Sequence, residues 1–268
     1  MQRDRLRTMF AYAGIVLLGL LALIALCAPW LSARSPFLVS DQALQAPGHA
    51  HVFGTDDLGR DVFAGVVHGA AVSLGVGFAA AFLSAFVGVA VGGLAGIGDG
   101  PVDLALMRLT EFAQALPRFF LVITLVSLFG GRLAFIVAAI GLTAWPSTAR
   151  LFRAQVQSIR SRDFVAASRA AGAREFPILR RHVLPTALPV LAAHVSYQAG
   201  GAILAEAGLS FLGLGDPTVM SWGAQLGTAQ HFVREAWWMS VFPGLAITLA
   251  VLACNLIADA ADGRRLDT

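Results

Sequence analysis

The sequence contains no lysine, and all 19 of its basic residues are arginine. A Walker-type phosphate-binding loop requires a lysine that reaches the nucleotide phosphates, and Schiff-base catalysis requires a lysine amine. We therefore expect no ATP hydrolysis by such a loop and no Schiff-base chemistry on this chain.

Cysteine is scarce as well. Cys27 and Cys254 lie far apart in two apolar runs. This placement excludes a disulfide framework and the cysteine spacing of a zinc site. It predicts that both cysteines are buried packing residues. His49 and His51 offer two metal ligands without a third. We expect this chain to bind no metal and no cofactor.

Charged residues are few: they make up 13% of the chain, while 57% is hydrophobic and the mean hydropathy is +0.73. A soluble domain has about 25% charged residues. The composition predicts an all-α integral membrane protein.

Six apolar runs are long enough to cross about 30 Å of hydrocarbon as helices. They cover residues 10–28, 71–97, 112–129, 133–149, 186–207 and 239–258. We divide the chain into residues 1–70, the first span with an extracytoplasmic segment, and residues 71–268, a five-span core with a cytoplasmic loop at 150–185.

The charge distribution predicts that both termini are cytoplasmic. With the N-terminus inside, the inner segments hold 14 arginines and the outer segments hold four, which are Arg34, Arg60, Arg132 and Arg234. Arginine is concentrated on the cytoplasmic side of membrane proteins.

Two patterns near the second span predict local packing. Residues 57–67 have an amphipathic spacing, which predicts a separate helix lying at the membrane surface. Gly88, Gly92, Gly96 and Gly100 recur every four residues, which predicts one helix face that a neighbouring helix approaches closely.

The stretch from Asp163 to Pro185 is polar, rich in arginine and lies between two apolar runs. Ser161 is placed to cap a short helix over about residues 162–171, and Gly172 is placed to end it. Pro177 suits the first turn of a second short helix. The pattern predicts a compact cytoplasmic knob with a surface of small residues.

This segment resembles the EAA motif of the permease subunits of bacterial ABC importers. The matching positions are Ala166-Ala167-Ser168, Gly172 and Val183-Leu184-Pro185. One position departs from the motif, because the usual glutamate is Ala166. Residues 54–61 and 205–215 are similar to segments of the peptide and nickel branch, and the chain is most similar to the second permease of dipeptide and oligopeptide importers.

The resemblance implies a six-span permease of the type I importer fold in the inner membrane. It also implies four kinds of contact: a homologous permease as heterodimer partner, two cytoplasmic ATPase subunits that bind the ATP and Mg²⁺, an extracytoplasmic solute-binding protein, and the lipid bilayer. It implies no nucleic acid and no enzymatic role for this chain.

Three sets of residues carry the predicted sites. The ATPase-coupling set is Asp163, Ala166, Ala167, Ser168, Ala171, Gly172, Ala173 and Arg174, and the extracytoplasmic motif is Gly54, Thr55, Asp56, Gly59, Arg60 and Asp61. Polar residues in spans are often functional, so His194, Tyr197, Gln198 and Gly201 are candidates for the translocation pathway. Hydrogen bonds to a neighbouring helix are the equally weighted alternative.

A secondary transporter or channel that works without ATPases is the alternative function. It would be supported by inverted repeats with charged residues at mid-membrane, which we do not find in the sequence. A third possibility is a membrane-embedded enzyme, which would need a nucleophile, a base or a metal set. We find no such constellation in the sequence. The substrate stays open among dipeptides, longer peptides, glutathione and chelated nickel.

Overall fold

A computed structural model describes residues 2–98, 100–172 and 175–262. Within them the chain forms eleven α-helices and one π-helical segment, Leu179–Val183. The α-helices are α1 (Gln2–Leu26), α2 (Ala28–Leu31), α3 (Val62–Ile97), α4 (Pro101–Gln114), α5 (Arg118–Phe129), α6 (Leu133–Arg160), α7 (Asp163–Ala170), α8 (Glu175–Ile178), α9 (Leu184–Phe211), α10 (Trp222–Ala229) and α11 (Trp238–Asp262). Strand pairing within the described residues is one bridge, between Thr55 and Asp61.

Six regions are apolar enough to cross a membrane. Five are single helices, α1, α3, α6, α11 and the helical run Glu175–Phe211 that contains α9. The sixth is the pair α4 and α5, which is bent by 77° at its break. The predicted third span, residues 112–129, contains this break, because Pro117 has no N–H to continue a helix and disfavours helical geometry at the residue before it.

The second span begins earlier than predicted. Helix α3 starts at Val62, where the Asp61 carboxylate accepts a hydrogen bond from Ala64 N at 2.9 Å. The predicted surface helix over 57–67 is wrong. Asp61 caps a helix that continues unbroken to Ile97, and Val62 is buried beside Trp238 rather than in lipid. The predicted boundary between residues 70 and 71 falls inside this helix.

The fourth span extends beyond its predicted end. Helix α6 runs to Arg160, so the loop begins at Ser161 rather than at Arg150. Phe152, Val156 and Ile159 recur at helical spacing and are all buried. This apolar stripe keeps the polar-looking segment helical.

Glycines in α3 let it cross α6 at close range. A Cβ on Gly96 would lie 2.6 Å from Val156 Cβ, and a Cβ on Gly92 would overlap the carbonyl oxygen of Ala149. Gly88 similarly meets Thr148. The predicted close approach is confirmed for these three glycines. Gly100 lies beyond α3 and has open space around it.

Helix α9 lies at the centre of the bundle. Its residues Ala199 and Ile203 pack in one apolar cluster with α1, α3 and α11, and Ala202 and Leu209 pack in a second with α5 and α6. Helix α9 therefore packs against α1, α3, α5, α6 and α11.

Candidate functional site

The predicted coupling loop folds as two short helices, α7 and α8, between α6 and α9. Val165 and Ile178 are buried and anchor the two helices in a cluster with Phe152, Val156 and Leu191. The loop is thus attached to both neighbouring spans by apolar packing, which restricts its movement relative to them.

The outward side of this loop is small and open. Ala166, Ala167, Ala171 and Gly172 are exposed. Gly172 has a φ of +85°, and a Cβ placed there would meet no atom within 4 Å. Glycine is the residue that adopts this left-handed conformation without steric cost, so the predicted stop after α7 is confirmed.

The other four residues of the predicted coupling set lie in different surroundings or outside the described residues. Asp163 is the first residue of α7 and is exposed, and Ser168 Oγ donates to Phe164 O at 2.9 Å. Ala173 and Arg174 lie outside the described residues. The predicted cap is wrong, because Ser161 Oγ donates back to Ser158 O at 2.9 Å instead of accepting from α7.

Two arginines of α6 connect the loop to other helices. Arg160 Nη1 donates to Gly96 O at 2.7 Å, and its Nε lies 3.6 Å from a carboxylate oxygen of Glu175 at the start of α8. Arg153 forms a two-point ion pair with Asp103 of α4. Sequence analysis missed that pair, since 50 residues separate its members and no local pattern joins them.

The structure separates the four predicted pathway residues. Gln198 is buried, and its Nε2 lies 3.1 Å from Ser147 Oγ, 3.3 Å from Ala144 O and 3.4 Å from Ser84 Oγ. These contacts join α9 to α3 and α6, as the alternative interpretation of Gln198 anticipates.

The other three pathway candidates are not bonded in this way. Tyr197 is 61% exposed and Gly201 has no atom within 4 Å of a built Cβ, so both lie on the open side of α9. The Nε2 atom of His194 is buried, with no hydrogen-bond partner among the described residues.

The extracytoplasmic motif forms a turn that is bonded mainly to its own segment. Asp56 accepts from Leu58 N and Arg60 N, and pairs with Arg60 Nε at 2.6 Å. Thr55 is fully buried and bonds to the backbone of residues 42 and 45. Gly54 and Gly59 have positive φ angles.

The same motif contacts α11 and the preceding segment. Trp238 Nε1 donates to Thr55 O at 3.0 Å. His51 lies 2.8 Å from Asp61 Oδ2 and 3.0 Å from Gln42 Oε1. Within the described residues no three metal-ligating side chains come together. The hydrogen bonds of the motif fix the backbone of the segment that precedes α3.

A buried acid joins α9 to α3 near the C-terminal end of α9. Glu206 of α9 is 1% exposed and accepts hydrogen bonds from Ser210 Oγ at 2.7 Å and from Ser73 Oγ at 3.3 Å. Ser73 Oγ in turn accepts from Trp222 N. Sequence analysis missed this network, for which the spacing of Glu206 and Ser210 was the only local signal.

An open cavity of about 710 Å³ lies beside this network. It is bounded by the turn that carries Arg60 and by the segment from Ser210 to His231. Phe211, Asp216 and Gln225 contribute to its lining. The cavity therefore joins the two extramembrane segments that sequence analysis placed on the outer side.

Residues 88–264 match the family model described as "Binding-protein-dependent transport system inner membrane component". The chain belongs to this family. It is thus a multi-pass inner-membrane component of a transport system that depends on a binding protein. This membership confirms the resemblance found in the EAA-like segment.

Similar proteins agree with the family. The chain is 40% identical to a peptide transport system permease protein of Brucella suis, over 92% of this chain and 83% of that protein. It is 36% identical to the di/tripeptide transport system permease protein DppC of Pseudomonas aeruginosa, over 93% and 85% of the two chains. For the dipeptide transport system permease protein DppC of Bacillus subtilis the identity is 37%, over 93% and 79%.

The fold also has a solved counterpart. A chain of the inward-facing MetNI methionine ABC transporter superposes with a TM-score of 0.57 and 21% identity, covering 76% of this chain and 96% of that one. The predicted all-α importer-permease fold is confirmed. None of these matches supports the alternative of a secondary transporter or channel.

Proposed function

We propose that this chain is one permease half of an ATP-driven peptide importer. The observation that carries the proposal is the exposed, small-residue surface of α7 and Gly172, held between α6 and α9 by Val165 and Ile178. Peptide as the substrate class is supported by the relatives, which are named as peptide, di/tripeptide and dipeptide transport system permease proteins.

The proposed orientation of the chain in the membrane follows from the distribution of arginine. The end of the bundle that carries the coupling loop also carries Arg150, Arg153 and Arg160, and arginine-rich segments stay in the cytoplasm. We place both termini on that side. The cavity beside Glu206 then faces outward, where a solute-binding protein delivers substrate.

The partners follow from the composition and the family. A homologous permease completes the pathway as a heterodimer. Two ATPase subunits bind ATP and Mg²⁺, because this chain has no lysine for a Walker-type loop. Their docking surface receives Ala166, Ala167 and Gly172, whose small side chains admit close backbone contact.

Coupling proceeds through packed contacts. Closure of the ATPase pair displaces α7, and Val165 transmits the displacement to Phe152 and Val156 of α6. Arg160 carries it to the end of α3 through Gly96 O. Since core packing is bistable rather than continuously deformable, the spans switch between inward-open and outward-open arrangements.

The test replaces Gly172 by tryptophan. Gly172→Trp places a bulky side chain on the docking surface and strains a positive φ. We expect normal membrane insertion, loss of ATPase co-purification and loss of peptide uptake in proteoliposomes.

Gly130→Trp is the matched control, because Gly130 also has a positive φ, of +94°, and open space, but lies in the turn after α5. It should retain the ATPases. Normal uptake by Gly172→Trp, or equal loss of ATPase binding in both variants, would overturn the assignment of this loop.

A further inference from the structure

Arg118 occupies the break in the third span. It is the first residue of α5, directly after Pro117 and the 77° bend from α4. The flanking residues Leu116 and Phe120 are exposed by 58% and 69%. Arg118 itself is half-buried and lies at a point where the helix is interrupted.

The contact made by Arg118 fixes its depth. Its Nη2 donates to Ile140 O at 3.3 Å. Ile140 is seven residues along α6 from Leu133, which is about 10 Å from the outer end of that helix. The guanidinium thus lies within the membrane-spanning part of the bundle, nearer its outer side.

No carboxylate of the described residues lies within 4.0 Å of this guanidinium. A guanidinium has five N–H donors, and the Ile140 carbonyl accepts from one of them. By contrast, Arg153 and Arg160 of α6 each have an acidic partner. An ionisable residue inside a span is costly and usually serves an ion or substrate pathway.

The neighbour of Arg118 connects it to the open face of α9. A Cβ on Gly208 would lie 3.2 Å from the Phe119 ring. Gly208 follows Gly201 and Leu204 along that helix, both of which are exposed. The first turn of α5 therefore packs against α9 at Gly208, on the helix face that also carries Gly201 and Leu204.

We infer that Arg118 is a binding site for the terminal carboxylate of the transported peptide. The inference rests on the proposed function and deepens it. Every linear peptide with a free C-terminus carries this group whatever its side chains, and a guanidinium binds a carboxylate with two parallel hydrogen bonds. The uncapped first turn of α5 adds a favourable dipole.

The experiment uses the complete importer, with sister permease, ATPases and binding protein, in proteoliposomes. Uptake of trialanine is compared with uptake of its C-terminal amide. Arg118→Gln should lower trialanine uptake by roughly tenfold or more, the equivalent of one charge-assisted hydrogen bond. Amide uptake should be unchanged, and Arg118→Lys should retain most of the preference for the acid.

Arg132→Gln is the matched control, since it removes an arginine from the turn before α6. The ratio of acid to amide uptake should stay at the wild-type value. An equal fall for both peptides in Arg118→Gln would overturn the inference. Loss of the sister permease on purification would also overturn it, since Arg118 would then pair with a partner acid.

A second readout uses one peptide throughout, so that any preference of the binding protein between the acid and the amide does not enter. Arg118→Cys is made with Cys27→Ala and Cys254→Ala and treated with water-soluble thiol reagents. A cationic aminoethyl reagent should react and restore trialanine uptake, whereas an anionic sulfonatoethyl reagent should react without restoring it. An unreactive Cys at 118 places the position in lipid and overturns the inference.

Failure of the proposed function can be distinguished from failure of the carboxylate site. A wild-type complex that takes up neither peptide contradicts the proposed function itself. A wild-type complex that transports trialanine, together with Arg118 variants of unchanged acid preference, contradicts the carboxylate site alone.

Discussion

Arg153 of α6 and Asp103 of α4 form an ion pair in which Nε lies 2.6 Å from Oδ1 and Nη2 lies 2.5 Å from Oδ2. The pair joins the first half of the broken third span to the helix that leads into the coupling loop. Because the two side chains share two parallel hydrogen bonds, the ion pair fixes the orientation of the two helices as well as the distance between them.

Breaking this pair should destabilise the protein. We expect Asp103→Asn to cost about 1–3 kcal/mol, because it leaves the half-buried Arg153 guanidinium without its counter-charge. The measurement is the Tm of the purified complex in detergent. Arg108→Gln is the control: its pair with Glu111 is 73% and 58% exposed, so its loss should change little. Equal effects of the two substitutions would contradict the prediction.

The crossing of α3 and α6 should not tolerate a single methyl group at Gly92. Its Cβ would overlap the Ala149 carbonyl, so Gly92→Ala should cost about 1–3 kcal/mol of stability by overpacking. Gly75→Ala in the same helix meets no atom within 4 Å. It should be neutral or stabilise by about 0.4–1 kcal/mol. A thermal shift of the same sign in both variants would refute the packing argument.

Substitutions of Gln198 and Tyr197 should differ in their effects on stability. Gln198→Ala removes the contacts from α9 to α3 and α6, at a cost of about 0.6–1.7 kcal/mol for bonds within a membrane. Tyr197→Ala should leave the Tm nearly unchanged because the side chain is 61% exposed. Parallel measurements of Tm and peptide uptake test this. A Gln198→Ala variant with normal Tm but poor uptake would place Gln198 in the pathway instead.

The Asp216 carboxylate should make the loop between α9 and α10 sensitive to acid. Hydrogen bonds from Thr218 Oγ1 at 2.6 Å, Thr218 N at 3.0 Å and Leu133 N at 2.9 Å lower the pKa of Asp216 below its ordinary value. A lowered folded-state pKa stabilises the folded chain above the unfolded-state pKa of about 3.9. This stabilisation is lost as the pH falls through the folded-state pKa.

The check compares the wild type with Asp216→Asn. The Tm difference between them should be constant from neutral pH to about pH 5 and should shrink below about pH 4. Hydrogen exchange at Leu133 N gives a local readout of the same bond. A difference that grows on acidification would contradict the sign of the effect.

The coupling loop shows which structural features a local sequence pattern can predict. The helix stop at Gly172 follows from a short-range rule, since glycine adopts positive φ without steric cost, whereas the buried anchors Val165 and Ile178 are known only from the packing. The cap at Ser161 failed because a hydroxyl can bond to the preceding turn as readily as to the following one. The sequence contains both options, and the packing of α6 decides between them.

Composition and the six apolar runs by themselves determined that this chain is a helical membrane protein, because burying polar backbone in lipid requires helices of that length. The spacing of Gly88, Gly92 and Gly96 determined a close helix contact. Only the tertiary structure decided which helix makes that contact, that Asp103 meets Arg153, and that Arg118 lies at a break with no acidic partner among the residues that the structure describes. These relations join residues far apart in the chain, and their free energies depend on distances that no local pattern encodes.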